Sequence, residues 1–203
     1  MDRQSWLEGT LYRPQFEQDS CGFGLIAQMD DKPSHWLVST AINSLACLTH
    51  RGAVAADGKS GDGCGLLFRK PTGFLQAVAK DNGYTLAEQF TAGLVFAGLD
   101  ANTCAQSIAN LVAAVESQGL TVAGVRDVPV NLDALGEAAM ASLPSIKQIF
   151  VNAPAGLAEI EFARKLYQAR RLAEKANAGD KDFYIPTLNP YVMSYKGLVT
   201  PDN

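Results

Sequence analysis

The stretch Cys21-Gly22-Phe23-Gly24-Leu25-Ile26-Ala27 sets a thiol directly before a small-residue turn and an apolar strand, read here over residues 21–28. Gly22 places no side chain on the C-terminal side of the sulfur, so a substrate carbonyl can approach it closely. The strand is expected to be buried and the thiol exposed. Residues 1–20 carry Gly9, Pro14 and mixed charges with no sustained periodicity, which puts a boundary at Ser20-Cys21. Cleavage there gives Cys21 a free α-amino group with a reference pKa of about 7.7 to 8.0. Such an amine accepts the thiol proton near neutral pH, and nucleophile and base then belong to one residue. The plainer alternative is a buried strand cysteine, since free cysteine is among the most buried residue types.

Composition narrows the function classes. The 203 residues are 47% hydrophobic and 19% charged, which suits one packed domain rather than disorder. A net charge of −4 gives no long-range attraction for nucleic acid or an anionic membrane surface. No apolar run approaches the roughly 18 residues that cross a bilayer, and the first residues lack the apolar core of a secretory signal. A cytoplasmic protein with a small-molecule role is the expectation. The four cysteines, Cys21, Cys47, Cys64 and Cys104, form no C-x-x-C pair, so they read as reduced thiols and no metal site is assigned.

Periodicity supplies the elements around Cys21. Ser34 opens a helix whose apolar positions Val38, Ala41, Ile42, Leu45 and Leu48 recur at helical spacing, and Gly52 suits a left-handed terminating residue. The glycines at 58, 61, 63 and 65 make a turn-rich loop before a strand at 66–68. Strands are expected at 90–96, 120–125, 146–151, 182–185 and 191–195. Helices are expected at 100–118, closed by Gly119 and burying Cys104, at 132–142, and at 157–178, closed by Gly179 and burying Phe162, Leu166, Ala169 and Ala173. Strands interleaved with helices indicate a mixed fold, with parallel and antiparallel pairing both open. Arg164, Lys165, Arg170, Arg171 and Lys175 suggest a basic patch, but Glu159, Glu161 and Glu174 interrupt it, and a solvated helix face is the better reading.

Several motifs have bland explanations. Gly58-Lys59-Ser60 fails as a phosphate loop, because Ala53 stands where the first glycine is required and a strand follows instead of a helix. Asp57 and Asp62 are each followed by glycine, the pattern of turns rather than of paired catalytic carboxylates. His35 and His50 have no zinc-type spacing to another ligand, and His35 stands at an exposed helix start.

Taken in order, Asp19-Ser20-Cys21-Gly22-Phe23-Gly24, His50-Arg51-Gly52-Ala53, Ala56-Asp57-Gly58-Lys59-Ser60-Gly61-Asp62-Gly63-Cys64-Gly65 and Gln148-Ile149-Phe150-Val151-Asn152 closely resemble the amino-terminal part of the glutamate synthase large subunit. That family's first domain is a class II glutamine amidotransferase. The resemblance implies an α+β fold of the N-terminal-nucleophile type, an αββα sandwich with two antiparallel sheets between helical layers. It implies that residues 1–20 are a propeptide-like segment and that Cys21 attacks the side-chain amide of glutamine, releasing ammonia and leaving a thioester for water. Arg51 is implied to bind substrate or to order the loop around the nucleophile. The chain itself is implied to hold no cofactor, whereas the family's full-length enzyme uses FMN, an iron-sulfur cluster and an electron donor. The implied partners are glutamine, the remainder of the large subunit and, in bacteria, a small reductase subunit.

One departure shapes the expectation. Residues 21–203 stop before the family's Arg-Phe-Ser-Thr-Asn substrate loop and its Asn-Gly-Glu segment, which supplies oxyanion donors. Loss of one such donor costs about 2.7 to 4 kcal/mol of barrier lowering. A partial domain, incomplete at its C-terminus, with exposed sheet edges and little activity alone is expected. Its rival is a catalytically silent fragment with a structural or interaction role.

Overall fold

The computed structural model describes residues 22–198 and residue 200, so the 1–20 segment and Cys21 lie outside the described residues. Among the described residues ten elements longer than a single turn succeed one another. They are α1 (His35–Ala46), β1 (Cys64–Arg69), α2 (Thr72–Asp81), β2 (Phe90–Ala97), α3 (Ala101–Ser117), β3 (Thr121–Asp127), α4 (Glu137–Ala141), β4 (Ser145–Asn152), α5 (Glu159–Ala176) and β5 (Val192–Gly197).

The strands form two antiparallel sheets, a three-stranded one in the order β2-β4-β3 and a two-stranded one in which β1 pairs with β5. Among the described residues all pairing is antiparallel, which answers the question the sequence leaves open. The register puts Phe150 of β4 between Ala92 of β2 and Gly124 of β3. Alternation along β4 then sends Ile149 and Val151 to one face and Phe150 to the other. Ile149 and Val151 meet Leu111 and Val115 of α3 and Phe162, Leu166, Ala169 and Ala173 of α5, all fully buried. Phe150 joins Phe90, Ala92 and Leu94 of β2, Leu75 and Ala79 of α2, and Met193 of β5 in a second core. The layers run helix, sheet, sheet, with α1 against β1 of the second sheet. Because β2 is covered on both faces it reads as a near-continuous apolar run, FTAGLVFA, instead of an alternating one.

The two long helices behave as their spacing predicts. Asp100 caps α3 by accepting from the Thr103 amide at 2.8 Å, and Gly119, at φ +71°, ends the turn beyond it. The charged side of α5 is laced by Arg164–Glu161, Arg170–Glu174 and Arg171–Glu174 pairs, as a solvated face should be. Its last turn is closed by Asn177 rather than Gly179. The buried Asn177 amide accepts from Asn110 Nδ2 at 2.7 Å and donates to the Ser107 carbonyl at 3.1 Å, tying α5 to α3. Asn177→Ala strands these α3 groups, so we expect a loss of about 2 kcal/mol, read as a lowered urea midpoint. A change within error would mean that the helix pair is held by its apolar contacts alone.

Other expectations need correction. Residues 22–28 form no strand, and Phe23 and Leu25 are 91% and 89% exposed. An apolar run becomes a strand only by pairing in a ladder, and none of the described strands pairs with this one. Residues 132–142 divide into a 3-10 turn (Leu132–Ala134) and the short α4, and the strand expected at 182–185 shrinks to one bridge between Tyr184 and Phe96. Gly52 has φ −104°, not the left-handed conformation. Helix α2 has no counterpart in the sequence reading, although Leu75, Val78 and Ala79 after Pro71 follow helical spacing. Helix α1 forms where expected but buries none of its residues.

Candidate active site

The elements around the glycine-rich loop enclose a cavity of about 770 Å³, within the range of small-molecule sites. Helix α1 contributes Leu45 from its last turn, and Leu48 and a 3-10 turn, Thr49–Arg51, follow and bring Gly52 and Ala53 to the cavity wall. Residues 53–62 double back as a small hairpin held by a Val54–Gly61 bridge, with Gly58 at φ +71° in its tip. Asp62 closes the base of the hairpin. Its carboxylate accepts from the Ala53 amide at 2.9 Å.

Gly63 then turns the chain into β1 at φ +100°, and a Cβ there would stand 3.1 Å from the Gly197 carbonyl of β5. This close approach brings Cys64 and Lys196 to the same cavity, whose floor is Phe96 and Ile146 of the three-stranded sheet. The far wall is the segment around α4, with Leu135, Ala139 and Leu143.

Of the two residues assigned to the chemistry, Cys21 lies outside the described residues, and Arg51 is described only as backbone in the 3-10 turn. Their chain neighbours Gly22 and Gly52 both line the cavity. The two histidines do not line it. His35 is exposed with Nδ1 3.2 Å from Ser39 Oγ, and His50 is exposed with Nδ1 3.0 Å from the Cys47 carbonyl.

The turn reading of the aspartates holds. Asp57 accepts from the amides of Lys59 and Ser60 and from the Ser60 hydroxyl, and this last bond most of all keeps its carboxyl far below the usual carboxylate range. Of the other thiols, Cys104 is buried on α3 with its sulfur 3.5 Å from Ser145 Oγ, in accord with its core assignment. Cys47, read as lying on the apolar side of a helix, is exposed, because α1 has no buried side for it to join. Cys64 is half-buried at the cavity, and burial pushes its thiol pKa up. Among the described residues no three His, Cys, Asp or Glu side chains cluster closely enough to hold a metal ion, and no helix is long and apolar enough to cross a membrane.

Sequence reasoning missed the far wall altogether. The contact between Ser60 and Ala139 spans 79 positions, and no local signal in 135–143 announces it.

Comparison with known proteins bears on the same region. The sequence profile of the family described as glutamine amidotransferases class-II matches residues 21–203, beginning at the cysteine. The chain is 36% identical over 194 residues to a glutamate synthase (NADPH) large chain of Bacillus subtilis, covering 95% of this chain and 13% of that protein. It is 38% identical over 193 residues to the corresponding large chain of Azospirillum brasilense, covering 92% and 13%. It is 37% identical over 185 residues to ferredoxin-dependent glutamate synthase 2 of a Synechocystis strain, covering 90% and 12%. The chain thus spans about 13% of the length of these relatives.

Proposed function

Since the chain belongs to the class-II glutamine amidotransferases, we infer that it is the glutamine-hydrolysing part of a glutamate synthase, with Cys21 as its N-terminal nucleophile. One observation supports the site assignment above the others: Gly22 and Gly52, the chain neighbours of Cys21 and Arg51, line a single cavity whose walls are mostly apolar or glycine. Removal of residues 1–20 frees the Cys21 amine to take the thiol proton. The sulfur then attacks the amide carbonyl of glutamine. As the tetrahedral adduct collapses, the C–N bond breaks and the ammonium group returns the proton to the leaving nitrogen, giving ammonia and a γ-glutamyl thioester. Water adds to the thioester, the C–S bond breaks, and glutamate leaves with the thiol restored. Arg51 binds the substrate or pairs with a carboxylate to order the loop beside Cys21.

The ammonia passes to the remainder of a large subunit, where 2-oxoglutarate is aminated. FMN, the iron-sulfur cluster and the electron donor, with a small reductase subunit in bacteria, belong to that remainder. The described cysteines do not fit a cluster, as they are scattered over the residue that closes α1, strand β1 and helix α3. Nucleic acid and membranes have no part in this reading, and its setting is the cytoplasm.

The test is covalent capture. A diazoketone analogue of glutamine incubated with the processed protein should label Cys21, located by peptide mass spectrometry, on molecules that lack residues 1–20. Cys64→Ala should leave the labelling rate within about threefold, because a thiol kept protonated by burial is a poor nucleophile. Labelling of Cys64 with Cys21 untouched would overturn the assigned nucleophile.

A further inference from the structure

The hydrogen bonds that join the hairpin to the far wall of the cavity are concentrated in three neighbouring residues. Asp57 uses both carboxylate oxygens. Oδ1 accepts from the amides of Lys59 at 3.0 Å and Ser60 at 2.7 Å, and Oδ2 accepts from Ser60 Oγ at 2.6 Å and the Ala138 amide at 3.2 Å. Ser60, 3% exposed, in turn accepts on Oγ from the Ala139 amide at 3.1 Å. Lys59 Nζ donates to the Asp133 carbonyl at 3.0 Å. The two walls approach so closely that a Cβ on Gly136 would stand 2.3 Å from Asp57 Oδ2 and 2.5 Å from Ser60 Oγ. Ala139, whose amide is held by Ser60, itself lines the cavity, and Gly61 to Cys64 line it immediately beyond Ser60.

We propose that Asp57 and Ser60 are positioning residues for glutamine hydrolysis: they staple the Gly61–Cys64 wall to the Ala139 wall and so fix the shape of the cavity that receives the substrate. The proposal rests on the reading of this cavity as the glutamine site. Three of the four Asp57 bonds stay within the hairpin and suffice for a turn. The bond from the Ala138 amide to Asp57 and the bond from the Ala139 amide to Ser60 leave it, and they cross to the opposite wall. An ionised carboxylate accepts at all four positions, whereas an asparagine of nearly the same volume offers one acceptor oxygen and turns an NH₂ toward donors on the other side. Asp57→Asn therefore releases one arm of the staple without emptying space.

The experiment follows inactivation by the diazoketone glutamine analogue in the full polypeptide that carries this region, separating the half-saturating concentration from the limiting rate. A parallel series uses iodoacetamide, which needs no glutamine pocket. Asp57→Asn and Ser60→Ala should each raise the half-saturating concentration about tenfold, leave the limiting rate within about threefold, and leave the iodoacetamide rate unchanged. Ser60→Thr, which keeps the hydroxyl, should restore most of the loss. The double variant should be no worse than Asp57→Asn alone, because both changes break one unit. Unmoved half-saturation in folded Asp57→Asn and Ser60→Ala would overturn the proposal, and so would an equal fall in the iodoacetamide rate, which indicates damage to the nucleophile or the fold. If Asp57→Asn does not fold, the Ser60→Ala and Ser60→Thr pair gives the same decision. A parent protein not labelled at Cys21 removes the glutamine reading and the positioning role together, whereas a labelled parent with unmoved variants removes the positioning role alone.

Discussion

Cys21→Ser is expected to lower glutamine-dependent glutamate formation by about a thousandfold or more in the enzyme that contains this region, while formation from free ammonia persists. The substitution barely changes side-chain volume, so a steric effect is not expected. What changes is the reacting atom. A hydroxyl holds its proton far more tightly than a thiol does, and an amine with a pKa of about 7.7 to 8.0 deprotonates it poorly. Ammonia supplied from solution bypasses the attack on glutamine altogether. The two activities measured side by side on one preparation decide the matter. An equal fall in both would assign Cys21 to folding, and retention of the glutamine-dependent rate would remove it from the chemistry.

The largest effect on stability is expected at Phe150. Its side chain is 0% exposed and lies between the two sheets, with its ring 5.7 Å from that of Tyr84 at an interplanar angle of 59°. On either side the register sets Ala92 and Gly124 against it, two residues too small to fill the space its ring occupies. Tyr84 cannot swing in, because its hydroxyl donates to the Val125 carbonyl at 2.8 Å and its ring already covers Gly124. The cavity left by Phe150→Ala therefore collapses little, and a loss of about 3 to 5 kcal/mol should appear in urea unfolding. Leu172→Ala, at a position 46% exposed on α5, serves as the comparison and should change stability by less than about 0.5 kcal/mol. A Phe150→Ala loss below about 1 kcal/mol would mean that the two sheets do not share a tightly packed core.

The features legible in the sequence are those whose information is local. The apolar spacing of Leu111 and Val115, and of Phe162, Leu166, Ala169 and Ala173, placed α3 and α5 and the faces they bury. The Asp-Gly pairs marked turns in the glycine-rich loop, and the order of short motifs from Cys21 to Gly65 indicated the family to which residues 21–203 belong. Local pattern also overreached. The apolar run at 22–28 has the composition of a strand, but a strand is a pairing, and composition does not report whether a partner stands beside it. Helix α2 went unread for a related reason: ten residues are a short stretch for periodicity, and the helix is held by Leu75 and Ala79 packing into a core built largely from β2 and β4.

That the loop carrying Asp57, Ser60 and Cys64 forms one wall of a cavity, and the segment around Ala139 the other, emerges from long-range packing alone. The bonds from Asp57 and Ser60 reach across 81 and 79 positions to plain backbone amides, which every non-proline residue possesses. A donor common to nearly all residues leaves no mark in the sequence, and its partner becomes visible only once the sheets and helices between them have packed.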